Sequence, residues 1–210
     1  VYFRREYTPR RYDFDAGRIY PDGPLGLTTD NPANRVVPGA DYYGVVQVES
    51  PIGSFGSGSL LKTGRHILTA AHVVDAGGGV PFDIVAVHFD LPTGRLTMTA
   101  TEMYIHPGWN GDIYEANDLA IVVLPEEAPP EAARYDIYRG DDELGAVQTM
   151  VGYGMAGQGV EQFYDGEKRA EDNRFEVDAS RYNAFSQFNF GTGTGMFEFP
   201  EGTLMVADFD

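Results

Sequence analysis

From Val36 onward, short apolar runs alternate with clusters of glycine, proline, aspartate and serine, the spacing of strands joined by turns. Tyr43–Val48, Gly56–Leu61, His66–Thr69, Ile84–Phe89, Arg95–Ile105 and Leu119–Leu124 predict a first set of six strands. Asp90-Leu91-Pro92-Thr93-Gly94 reads as the hairpin connection between the fourth and fifth. Ala146–Tyr153, Arg174–Ala179, Ala184–Phe190 and Thr203–Phe209 predict a second set. Between its first two members, Gly154–Asp172 is glycine-rich and polar, as expected of a long surface loop. Helical periodicity is nearly absent; Ala70–Val74 and Glu131–Tyr135 each predict at most one turn.

This pattern predicts an all-β protein built from two antiparallel barrels, the second incomplete within these residues. Residues 1–35 form an irregular leader, in which Tyr2, Phe3, Tyr7, Tyr12, Phe14 and Tyr20 recur with neither strand nor helix period. Residues 36–124 are the first barrel, 125–145 a proline-rich linker, and 146–210 part of the second barrel. The 210 residues suffice to bury a core.

Charge narrows the function. Residues 1–35 hold six Arg against five Asp/Glu, and residues 36–210 hold nine Lys/Arg against 27, so +1 and −18 make the net −17. An acidic body of this kind repels nucleic acid and anionic membranes. Cysteine is absent, so disulfides and thiolate metal sites are excluded. No apolar run reaches the ~18 residues of a membrane span.

Two short segments carry chemistry. Gly56-Ser57-Gly58-Ser59-Leu60-Leu61 is followed by His66-Ile67-Leu68-Thr69-Ala70-Ala71-His72, where a small Ala pair lets the chain turn and present His72. Asn117-Asp118 precedes the apolar run Leu119–Leu124, which would anchor a carboxylate at a strand end. A hydrolytic serine needs an imidazole to take its proton, and the imidazole needs a carboxylate to fix its tautomer. Together the segments resemble the first barrel of the chymotrypsin/trypsin-like serine proteases, in a cysteine-free, bacterial form. The resemblance implies His72 as the general base, Asp118 as its acid partner, and two six-stranded barrels. It extends to His106-Pro107-Gly108-Trp109, a structural loop with Trp109 expected at the surface, and to Met150-Val151-Gly152-Tyr153-Gly154, which resembles the strand opening the second barrel.

The nucleophile breaks the pattern. In this family it follows the acid by about ninety residues in a G-D-S-G-G loop, which is absent here. Ser180 and Ser186 lack flanking glycines, and Gly191–Gly195 offers threonines without a preceding acid. The chain is therefore expected to be a zymogen-like or processed N-terminal piece of a serine endopeptidase. A C-terminal fragment would then supply the serine and complete the second barrel. The alternatives are an inactive homologue that binds a partner, and an acidic structural β protein. Arg35-Val36-Val37-Pro38-Gly39 resembles an activation site, with cleavage between Arg35 and Val36. The resemblance further implies a protein or peptide substrate, a secreted, periplasmic or cell-surface location, and no cofactor. Calcium is the candidate exception, near Asp75, Asp83 and Asp90.

Overall fold

The computed structural model describes residues 11–13, 18–20, 34–113, 117–154, 164–175, 177–178 and 205–206. Within residues 1–35, where the sequence predicted no strand, β1 (Arg11–Asp13) and β2 (Arg18–Tyr20) form an antiparallel pair. There follow β3 (Val45–Glu49), β4 (Phe55–Leu60), β5 (His66–Thr69), the single helical turn α1 (Ala71–Val74), and the small hairpin β6 (Asp75–Gly77) and β7 (Val80–Pro81). Then come β8 (Val85–Leu91), β9 (Gly94–Ala100), β10 (Glu102–Ile105) and β11 (Ala120–Val123). The second half contributes β12 (Val147–Gly152), β13 (Arg169–Arg174), β14 (Val177–Asp178) and β15 (Met205–Val206).

Seven of these form one sheet in the order β10-β11-β5-β4-β3-β8-β9. Its neighbours pair antiparallel throughout. The two edge strands, β9 and β10, are consecutive in the chain and separated only by Thr101. The sheet therefore curls until its edges are halves of one bent strand, a geometry that leaves little edge exposed. The sequence predicted one strand over Arg95–Ile105. The break arises because β9 follows β8 while β10 turns away to follow β11.

Alternation explains the core. Val46 and Val48 of β3, Leu60 of β4, Ile67 of β5, Val85, Val87 and Phe89 of β8, and Val122 of β11 point into the curl and are almost fully buried. Val73 and Val74 of α1 and Leu124 join the same cluster. Phe89→Ala is expected to cost about 3–5 kcal/mol, because it leaves a cavity that stiff β-branched neighbours cannot close. Urea unfolding followed by circular dichroism would measure it.

The proline-rich connection after β11 lies against this sheet. Ala128 N–H donates to Gly64 O at 2.8 Å and Tyr135 N–H to Leu60 O at 2.9 Å, while Ala128 and Ala132 are buried in the first core. Glu131–Tyr135 is not the helical turn that the sequence predicted. Ala132 N–H closes a tight turn on Pro129 O, and Tyr135 is then drawn into a bridge with Leu61. In the second half β12 pairs with β13, and β14 with β15. The predicted strand Ala184–Phe190, Ser180, Ser186 and the Gly191–Gly195 run lie outside the described residues, as do residues 155–163 and most of Thr203–Phe209. The segment Gly154–Asp172 is not loop throughout, as the sequence predicted, because its last four residues pair with β12 as the start of β13.

Candidate active site

Sheet register brings His72 and Asp118 together. Thr69 at the end of β5 stands opposite Ala120 at the start of β11. His72 lies three residues beyond the first and Asp118 two before the second, so antiparallel pairing puts both at one end of the sheet. The His72 Nδ1 to Asp118 Oδ2 distance is 2.6 Å, although 46 residues separate them. A second bond runs from the His72 main-chain N–H to Asp118 Oδ1 at 2.9 Å. Asp118 thus accepts two hydrogen bonds from one residue, which fixes both the helical turn and the ring.

A carboxylate only accepts, so Nδ1 must carry the proton. In the neutral ring Nε2 is then the acceptor, and it has no partner among the described residues. The His72 side chain is 50% exposed and Asp118 20%, so the imidazole opens to solvent while the carboxylate is sheltered behind it. The other histidines differ. His88 spends both ring nitrogens, on Thr97 and Glu49, His66 bonds Thr63, and His106 Nδ1 accepts the Gly108 N–H.

The Gly56-Ser57-Gly58 run now has a physical explanation. A Cβ on Gly56 would lie 2.4 Å from Val73 Cγ2, so the helical turn carrying His72 seats on bare backbone. A Cβ on Gly58 would meet Ile67 Cγ2 at 2.5 Å. Thr69 Oγ1 donates to Ser57 O at 2.9 Å, tying the end of β5 to β4 just before the turn. On the acid side, Asn117 adopts φ 76°, a left-handed conformation that asparagine tolerates better than most residues. Its side chain donates to Gly108 O at 3.4 Å.

Trp109 is buried, not superficial as the sequence suggested, and it joins the first core. Its indole Nε1–H donates to Asp75 Oδ2 at 2.8 Å. Asp75 Oδ1 also accepts the Gly77 and Gly79 N–H groups at 2.8 and 3.1 Å. Burial would push the Asp75 carboxyl up, yet these bonds from Trp109 and the backbone amides hold it below the ordinary aspartate value. Asp90 is buried and accepts from Tyr153 OH at 2.7 Å. Two of the three aspartates considered for calcium are thus engaged within the protein. Among the described residues no three His, Asp or Glu side chains converge as metal ligands.

The second half docks through the Val151-Gly152-Tyr153 segment. Tyr153 N–H donates to Ser57 Oγ at 2.8 Å, and a Cβ on Gly152 would lie 2.6 Å from the same oxygen. Lys168 is buried over the Tyr153 ring, with its ammonium donating to Tyr42 O at 3.0 Å. Arg35 and Val36 lie alongside: Val36 N–H donates to Lys168 O at 2.8 Å, Arg35 bridges Arg169, and its guanidinium pairs with Glu167 at 3.0 Å. With Asp90, Arg95 and Lys168 they line a cavity of about 250 Å³.

Burial lowers the Lys168 pKa from 10.5 to about 8. The cost of burying its charge is therefore present in full below pH 8 and relieved as pH climbs toward the unfolded value. Stability measured against Lys168→Met is expected to rise between about pH 8 and 10. Parallel pH dependences of the two melting temperatures would contradict that.

Comparison with known families decides the classification. The trypsin-like peptidase domain matches residues 56–197, most of the chain. The chain belongs to this family. It is a protease family, so protein is the substrate class that membership implies. Comparison with curated proteins gives no match. No helix among the described residues is long and apolar enough to cross a membrane.

Proposed function

We propose that this trypsin-like peptidase domain is the His- and Asp-bearing part of a serine endopeptidase. The observation that carries the reading is the pair of hydrogen bonds that Asp118 accepts from His72, which fixes the Nδ1–H tautomer of the neutral ring and leaves Nε2 facing solvent. His72 takes the proton of a serine as that serine attacks the scissile carbonyl, then returns it to the leaving amine. Asp118 holds the ring tautomer and stabilises the imidazolium. The resemblance to the family supports two six-stranded barrels, with the serine and its oxyanion amides on a G-D-S-G-G loop downstream of Asp210. In a zymogen-like form, cleavage between Arg35 and Val36 would free Val36 where it already lies against Lys168 O. The protein would work outside the cytoplasm of a bacterium.

The coding sequence downstream of Asp210 provides the first test. A G-D-S-G-G within about thirty residues, with peptide hydrolysis by the protein that contains it, is the expected result. A stop codon at that point, with no hydrolysis by this chain alone or after cleavage at Arg35, would sink the proposal and favour the inactive homologue.

A further inference from the structure

His72 and Asp118 both stand on segments with little structure of their own. α1 is one turn without a side-chain N-cap bond, and an isolated turn has no stability in water. The chain from His106 to Leu119 contains no regular element among its described residues. The hydrogen bond between His72 and Asp118 is half open to water and would compete poorly if nothing else joined the segments. No disulfide can do so, since cysteine is absent.

Besides the β5–β11 register and the His72 main-chain bond to Asp118, a side-chain link joins the two segments. Asp75 immediately follows α1, and its N–H closes the helical turn on Ala71 O. Its carboxylate holds the indole of Trp109, which is buried on the far segment. Trp109 is next to Gly108, whose carbonyl accepts from the Asn117 side chain, and Asn117 precedes Asp118. A closed ring of contacts results, running His72, α1, Asp75, Trp109, Gly108, Asn117, Asp118 and back to His72. We propose that Asp75 and Trp109 are positioning residues, a clamp that sets the distance between the His72 imidazole and the Asp118 carboxylate. This rests on the protease reading only for its effect on rate; the geometric claim stands on the ring itself. The bonds that hold the Asp75 carboxyl below the ordinary aspartate value include the one from Trp109 that forms the clamp.

Trp109 is the sole tryptophan, so its indole N–H gives one unambiguous NMR signal. Trp109→Phe keeps an aromatic ring but deletes the donor. In the 210-residue chain the low-field Nδ1–H resonance of His72, absent in Asp118→Asn, is expected to move upfield and broaden in Trp109→Phe. In the serine-bearing protein the same change is expected to lower kcat by about tenfold to a hundredfold with KM nearly constant, the signature of misplaced reacting groups. Asp75→Asn, which keeps an acceptor for the indole, should lose less than Asp75→Ala. An unmoved His72 resonance and unchanged kcat in a folded Trp109→Phe protein would overturn the clamp. If the resonance moves but no variant, and not the parent, hydrolyses peptides, the clamp stands and the protease reading falls.

Discussion

His72→Ala is expected to abolish peptide hydrolysis by the serine-bearing protein, lowering kcat about 10⁶-fold, or ~8 kcal/mol of transition-state stabilisation. Nothing else among the described residues can replace this imidazole. His88 has both ring nitrogens engaged, and His66 and His106 bond within their own turns. The fold should survive the substitution. The His72 side chain is half exposed, while the packing of α1 rests on Ala71, Val73 and Val74. Unchanged circular dichroism and melting temperature, together with a lost rate, would separate chemistry from stability.

Asp118→Asn is expected to cost about 10⁴-fold in kcat, with a much smaller change in KM. The substituted amide is nearly isosteric. It can still accept from the His72 main-chain N–H through its oxygen, but it then turns its NH₂ toward Nδ1. The ring must flip tautomer to accept that bond, and Nε2 then carries the proton and cannot act as a base. Asp118→Ala should be comparably inactive and also less stable, because it leaves the His72 main-chain N–H without the acceptor it has at 2.9 Å. Steady-state kinetics on a short peptide ester and amide would compare the variants. Equal kcat in Asp118→Asn and the parent would show that the carboxylate does not set the tautomer.

The meeting of His72 and Asp118 was legible in the sequence because each carries a local constraint. Ala70 and Ala71 follow a strand and precede the histidine, and an apolar strand follows the aspartate. Most strands of the first sheet were legible for the same reason, as β-branched and polar residues alternate in step with the pleat. What stayed hidden depends on partners far along the chain. Trp109 looks like a surface aromatic after a proline-glycine turn, and nothing local says that Asp75, 34 residues earlier, accepts its N–H. Equally, nothing local says that Asp75 accepts from an indole and two glycine amides, or that Asp90 accepts from a tyrosine hydroxyl. The bend at Thr101 is invisible because both halves of Arg95–Ile105 have strand character, and only the choice of neighbours divides them. Likewise the proline-rich stretch after β11 reads as a linker by composition, while long-range bonds to Gly64 and Leu60 hold it on the sheet.

Fluorophosphonate labelling followed by peptide mapping, on the protein extended beyond Asp210, tests the central claim most directly. A single labelled serine downstream of residue 210 is expected, with labelling abolished in His72→Ala. A label on Ser180 or Ser186, or labelling that persists without the His72 imidazole, would contradict it.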